Sequence, residues 1–115
     1  MRIFFDGSGW NGRSSGFAVV FADSNKAPIV VRLREEKTNN EMEYAGLLEA
    51  LAHASEGDAL FTDSQLVVGQ VLGGWKVNAA HLRPLVEKAK ALVEAKKVTL
   101  VWVPREQNLA GKLFE

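Results

Sequence analysis

Three acids in this sequence stand where a carboxylate can do chemistry. Asp6 closes the apolar run Ile3-Phe4-Phe5 and is followed by Gly7-Ser8-Gly9, so its side chain is expected at a strand terminus beside backbone that can approach a ligand closely. Asp63 repeats the arrangement after Ala59-Leu60-Phe61-Thr62. Glu43 differs: it lies between Met42 and Ala45 on a segment whose apolar stripe must pack on a sheet, and an acid there is tolerable if a cation pairs with it. Carboxylate oxygens are the donors that hard divalent ions take, and with no cysteine in the chain any metal must be held by oxygen or by one of the two histidines. Taken singly, each acid also has an ordinary role, since Asp6 before glycine suits a turn and Asp63 before Ser64 suits a helix N-cap.

Elements that could position these acids follow from pattern. Residues 2–6, 17–22 and 28–34 are β-branched and aromatic runs separated by Gly-rich or polar connections, which predicts three antiparallel strands. From Asn39 onward Met42, Ala45, Leu48, Leu51 and Ala52 recur at helical spacing, with Thr38 or Asn39 as N-cap and Gly57 as a stop. A buried-type strand at 59–62 then feeds a helix from Gln65 to Leu72, halted by Gly73-Gly74. A third helix is expected over roughly His81 to Ala95, a last strand over 98–103, and a short helical tail after it. Three meandering strands followed by αβ alternation predict an α/β fold with a mixed five-stranded sheet, antiparallel then parallel, flanked by helices.

A chain of 115 residues with 47% hydrophobic side chains fits one domain, residues 1–115. No apolar stretch approaches the roughly 20 residues of a membrane span, and an acid at position 6 comes too soon for a signal peptide, so a soluble, cytoplasmic protein with no membrane partner is expected. Net charge is zero, which argues against simple coating of nucleic acid. The charge is nonetheless polarised: residues 1–63 carry 6 Lys and Arg against 10 Asp and Glu, whereas residues 64–115 carry 8 against 4. An acidic pole to bind cations beside a basic pole to bind phosphates suits an enzyme that cuts a polyanion, although surface charge can segregate without such a purpose.

The contexts of the acids carry a resemblance. Asp6-Gly7-Ser8, then Thr38-Asn39-Asn40-Glu41-Met42-Glu43-Tyr44, then Thr62-Asp63-Ser64-Gln65, followed by Trp75-Lys76 and Trp102-Val103-Pro104-Arg105-Glu106-Gln107-Asn108, closely resemble the type 1 ribonuclease H family over nearly the whole chain. The resemblance implies the ribonuclease H-like fold and an endonuclease that hydrolyses the RNA strand of RNA/DNA hybrids to 5′-phosphate and 3′-hydroxyl ends. It implies that Asp6, Glu43 and Asp63 are catalytic and hold two Mg²⁺ or Mn²⁺ ions. It further assigns nucleic-acid contacts to Gly7, Ser8, Thr38, Asn39, Asn40 and Gln65, to Trp75 and Lys76 on the DNA strand, and to Arg105 and Asn108 on the loop after the last strand. Trp75 has an alternative role as a core residue capping the second helix.

Two departures bear on activity. The segment after Trp75 holds only His81 and Arg83 where some relatives are strongly basic, so modest hybrid affinity is expected. The family's fourth carboxylate, in Asn-x-x-Ala-Asp, falls on Lys112, or on Gly111 if one residue is deleted. Glu115 is a candidate replacement metal ligand, with solvated fraying as its alternative. Loss of the fourth acid would weaken chiefly the second ion, so a catalytically weakened or inactive module binding hybrid or a protein partner is the competing expectation. No obligate protein partner is evident. A DNA-processing relative is disfavoured because Asn39, Asn40 and Gln65 suit 2′-hydroxyls.

Overall fold

Strand formation dominates the first third of the chain. In the computed structural model, which describes residues 1–114, β1 (Arg2–Ser8), β2 (Ser15–Phe21) and β3 (Ile29–Leu33) pair as an antiparallel meander. Helix α1 (Asn39–His53) follows, then β4 (Ala59–Thr62), α2 (Gln65–Val71), α3 (Arg83–Lys96) and β5 (Thr99–Trp102). The order across the sheet is β3-β2-β1-β4-β5, with β4 parallel to β1 and β5 parallel to β4. The expected mixed five-stranded sheet is therefore the one formed.

Side-chain alternation along β1 decides where the site can be. Ile3 and Phe5 point into the main core, packed with Tyr44, Leu47 and Leu51 of α1 and with Leu60 and Val86. Phe4 points to the other face, where it meets Ala18, Ala110 and partly buried Phe61. Asp6, two residues beyond Phe4, shares that face. In the parallel pair Phe4 sits opposite Phe61, so Asp63, two residues beyond Phe61, comes up beside Asp6 at the carboxyl end of the sheet.

Helix α1 begins with a capping box: Thr38 Oγ1 accepts from the Glu41 amide and Glu41 Oε1 accepts from the Thr38 amide. It ends at His53, short of Gly57, because the Lys96 ammonium donates to the carbonyls of Leu51 at 2.7 Å and Ala54 at 3.3 Å, satisfying acceptors that would otherwise be orphaned. Close approach of α1 to β1 depends on Gly7. A Cβ there would lie 2.2 Å from the Met42 carbonyl carbon, so only glycine lets the helix sit low enough to bring Glu43 to the strand.

The segment after β5 departs from expectation. Instead of a helical tail it forms two 3₁₀ turns, Arg105–Gln107 and Gly111–Phe114. Asn108 between them sends its side chain into the sheet, and Gly111 is a weak helix former, so an α-helix does not propagate. The third helix also starts late, with a 3₁₀ turn over Ala80–Leu82 before α3 opens on Arg83-Pro84. No helix among the described residues is long and apolar enough to cross a membrane.

Candidate metal centre

Asp6, Glu43 and Asp63 converge. Each offers one carboxylate oxygen such that the three lie within 4.8 Å of one another. Asp6 is 1% exposed and stands inside β1, which continues to Ser8, rather than at the strand's end. Asp63 does not cap α2. That role falls to Ser64, whose hydroxyl accepts from the Val67 amide at 3.1 Å, and Asp63 is left free to face the cluster.

The cluster is supported unevenly. Asn108 is 0% exposed, and its Nδ2 donates to the Phe5 carbonyl at 2.9 Å and to Asp63 Oδ1 at 2.8 Å, while its Oδ1 accepts from the Ala110 amide. Arg105 donates from Nη1 to Asp63 Oδ2 at 3.3 Å. Among the described residues, Asp6 Oδ1 and Glu43 Oε2 are buried with no hydrogen-bond partner. Buried carboxylate oxygens without donors are costly, and a divalent cation is the partner that would satisfy both at once.

Electrostatics point the same way. Burial, reinforced by the Asp63 charge, pushes the Asp6 carboxyl up to about 6, and burial with repulsion from Asp6 and Asp63 pushes Glu43 up to about 9. Both folded-state values lie above the ordinary range, so the fold favours the protonated acids. The associated stability is present at low pH and is lost as pH rises through about 6 and then about 9. Without divalent ions the protein is therefore expected to melt several degrees lower at pH 9 than at pH 5, by about 5 °C. Thermal melts should show Mg²⁺ raising the pH 9 midpoint, and Glu43→Gln should flatten the pH dependence.

The other sequence-derived residues occupy different places. Asn40 and Lys76 share a depression of about 200 Å³ between α1 and the chain after α2, with Leu66, Gln70, Asn78 and Leu82. Gln65 and Trp75 line a second, apolar groove of about 390 Å³ with Leu72 and Trp102. Trp75 is 51% exposed and no core residue; its ring lies over Gly69, where a Cβ would come within 2.1 Å of it. Asn39 is committed to structure, its Oδ1 accepting from the Gly9 amide, and the Thr38 hydroxyl is likewise engaged in its cap. Ser8 is half-buried in a small polar recess with Asn11, Ser14 and Arg32. Asn108, read as a nucleic-acid contact, is instead fully buried with its amide saturated, so it positions Asp63. Gly7 similarly serves the contact between helix and strand. Glu115 lies outside the described residues.

One feature escaped the sequence reading. Trp102 Nε1 donates to the Asp63 carbonyl at 3.2 Å and its indole forms a wall of the apolar groove; its alternation with buried Leu100 on an edge strand was the available signal. Gly111, one of the two residues on which the missing fourth acid could fall, lies against the cluster: a Cβ there would stand 3.3 Å from Asp6 Oδ2. Lys112 is exposed, so of the two alignments of the missing acid, Gly111 is the residue that faces the cluster.

Comparison with known proteins decides the family. The model of the RNase H family matches residues 1–111. The chain belongs to the RNase H family. The match ends at Gly111, the residue beside Asp6. Among relatives, the bifunctional protein Rv2228c of Mycobacterium tuberculosis is 32% identical over 110 aligned residues, covering 89% of this chain and 30% of that protein. The chain thus spans about a third of the length of the curated relatives it matches. The solved N-terminal RNase H domain of Rv2228c, fused to maltose binding protein, superposes with a TM-score of 0.77 at 32% identity, covering 93% of this chain and 84% of that one. LC11-RNase H1 in complex with an RNA/DNA hybrid is similar with a TM-score of 0.79 at 26% identity, over 97% of this chain and 91% of that one. RNase H1 of the archaeon Halobacterium salinarum gives 0.77 at 29% identity over the same shares. This RNase H chain therefore shares the fold of enzymes that carry the family name, with glycine beside its first acid.

Proposed function

We propose that the chain is a metal-dependent endoribonuclease that hydrolyses the RNA strand of RNA/DNA hybrids, leaving 5′-phosphate and 3′-hydroxyl ends. The observation that carries this reading is the convergence of Asp6, Glu43 and Asp63 with two of their buried oxygens unpartnered, within an RNase H fold. Mg²⁺ or Mn²⁺ fits this all-oxygen donor set, and when bound would polarise the scissile phosphate and lower the pKa of a water nucleophile. The chain's own part is to hold three carboxylates together against their repulsion. Asn108 fixes Asp63 from one side and Gly7 admits Glu43 from the other.

Similarity to LC11-RNase H1 supports the substrate class, because that protein was solved with an RNA/DNA hybrid. Asn40, Gln65, Trp75 and Lys76 would meet the duplex beside the acids, the half-exposed indole packing on deoxyribose and Lys76 on phosphate. Trp75→Ala is expected to raise KM for hybrid by about 10-fold, some 1.4 kcal/mol, with kcat within a factor of about 2. Steady-state kinetics on a labelled hybrid check it.

The reading itself is tested by incubating labelled hybrid, single-stranded RNA and duplex RNA with the protein in Mg²⁺ and in Mn²⁺. Cleavage confined to the RNA of the hybrid is expected. Absence of hybrid cleavage with either metal rejects the enzyme. One observation favours a second reading, a weakened module that binds hybrid without cutting it: the residue set against Asp6 Oδ2 is Gly111, which has no carboxylate to offer a cation. Hybrid retention in a gel shift without cleavage would select it.

A further inference from the structure

Helix α2 turns three stripes to three surroundings. Val67 and Val71 enter the core, Leu66 and Gln70 face the depression that holds Asn40 and Lys76, and Gln65, Val68, Gly69 and Leu72 line the apolar groove. The consecutive residues Trp75 and Lys76 are divided between groove and depression. Another wall of the groove is Trp102, paired with Thr62 across the parallel strands. Both indoles are exposed, Trp102 by 42%, yet each is held in place. The Trp75 ring lies against Gly69, where a Cβ would come within 2.1 Å of it, and the Trp75 amide donates to the Gly69 carbonyl at 3.0 Å. Trp102 Nε1 donates to the Asp63 carbonyl at 3.2 Å. Aromatic faces fixed in advance lose little freedom when a flat ligand stacks on them.

Among the described residues, no charged side chain lines the groove. The two segments that supply its lining, residues 64–86 and 95–105, hold no Asp or Glu but carry Lys76, Arg83, Lys96, Lys97 and Arg105. Neutral aromatic surface within cationic segments suits single-stranded nucleic acid, with bases on the rings and phosphates on the cations. A base stacked in a duplex offers only its edge, so an indole face is open to an unpaired base. We propose that the groove between Trp75 and Trp102 seats an unpaired nucleobase of a single strand that continues from the duplex held at the acid cluster. The bond from Trp102 to the Asp63 carbonyl makes groove and cluster contiguous. Its volume of about 390 Å³ falls in the range of small-ligand sites. The part that concerns hybrids rests on the nuclease reading and deepens it: the preferred substrate is a hybrid with a single-stranded extension. Stacking is indifferent to base identity, so the extension is read without sequence preference.

The whole chain is titrated with an oligothymidylate of about 12 nucleotides, which holds no RNA to cut, and tryptophan fluorescence is followed. Separately, kcat/KM is compared for a blunt hybrid and for the same hybrid with a single-stranded DNA tail. Saturable quenching is expected. Trp102→Ala and Leu72→Glu, the latter placing an acid on the exposed rim of the groove, should each weaken oligothymidylate binding by about 10-fold, and Trp102→Phe should recover part of it. Circular dichroism reports the folding of each variant. The tail should raise kcat/KM by about 10-fold through KM, and Leu72→Glu should abolish that gain while cutting the blunt hybrid within a factor of about 2 of the wild type. Absence of quenching, equal affinity in the wild type and a folded Leu72→Glu variant, or equal kcat/KM for tailed and blunt hybrids overturns the inference and leaves the nuclease reading in place. So does anilinonaphthalene sulfonate bound in the groove that the oligothymidylate fails to displace, which would mark a protein-docking surface. Failure to cut either hybrid rejects the nuclease reading, and the fluorescence titration then decides the occupant of the groove on its own.

Discussion

Asp6→Asn is expected to lower hybrid cleavage by at least about 10³-fold, equivalent to about 4 kcal/mol of transition-state stabilisation. Asp6 is the buried centre of the cluster, and an amide in its place removes a negative charge that the cation needs while keeping nearly the same volume. The same substitution should stabilise the metal-free protein. The Asp6 carboxyl is pushed up to about 6 by burial and by Asp63, so at pH 8 the fold holds it ionised against both effects. The neutral amide removes that burden and relieves Glu43, whose carboxyl Asp6 helps to push up. A variant that melts higher without metal, gains nothing from Mg²⁺ and no longer cuts hybrid is the joint outcome expected from melts and a gel assay. Equal cleavage by wild type and Asp6→Asn would remove Asp6 from the catalytic centre.

Asn108→Ala is expected to reduce both stability and activity. Its amide joins the Phe5 carbonyl to Asp63 inside a fully buried site, so truncation leaves a buried carbonyl and part of a carboxylate unpaired at a cost of about 2–4 kcal/mol. Denaturant unfolding measures that loss. Below the new midpoint the folded variant should bind Mn²⁺ about 10-fold more weakly and turn over about 10 to 100-fold more slowly, because Asp63 loses the contact that orients it. Weakened metal affinity separates a positioning role from a purely structural one, which would leave the folded fraction's affinity unchanged.

Strand and helix types were legible because the relevant patterns are local. Phe4 and Asp6 on one face of β1, and the Thr38 cap followed by apolar residues at helical spacing, can be read from adjacent side chains. The three acids were legible for the same reason, each lying in a motif with a specific neighbourhood. What could not be read were relations across the chain. The bond from Asn108 to the Phe5 carbonyl spans 103 residues, and nothing in the local sequence of Asn108 reveals that its amide turns inward instead of toward a duplex. The end of α1 at His53 depends on Lys96, more than 40 residues away, whereas Gly57 offered a nearer and misleading stop. Choosing between Lys112 and Gly111 required the 3₁₀ geometry after β5, which sets the glycine against Asp6 and turns the lysine outward.

Joint binding of a divalent ion by Asp6, Glu43 and Asp63 is tested most directly by anomalous diffraction from a crystal of the protein soaked in MnCl₂. A manganese peak bonded to a carboxylate oxygen of all three residues at about 2.1–2.2 Å is the expected result. A saturated soak with no peak between them, or a peak that leaves Glu43 Oε2 and Asp6 Oδ1 still without a partner, would contradict it.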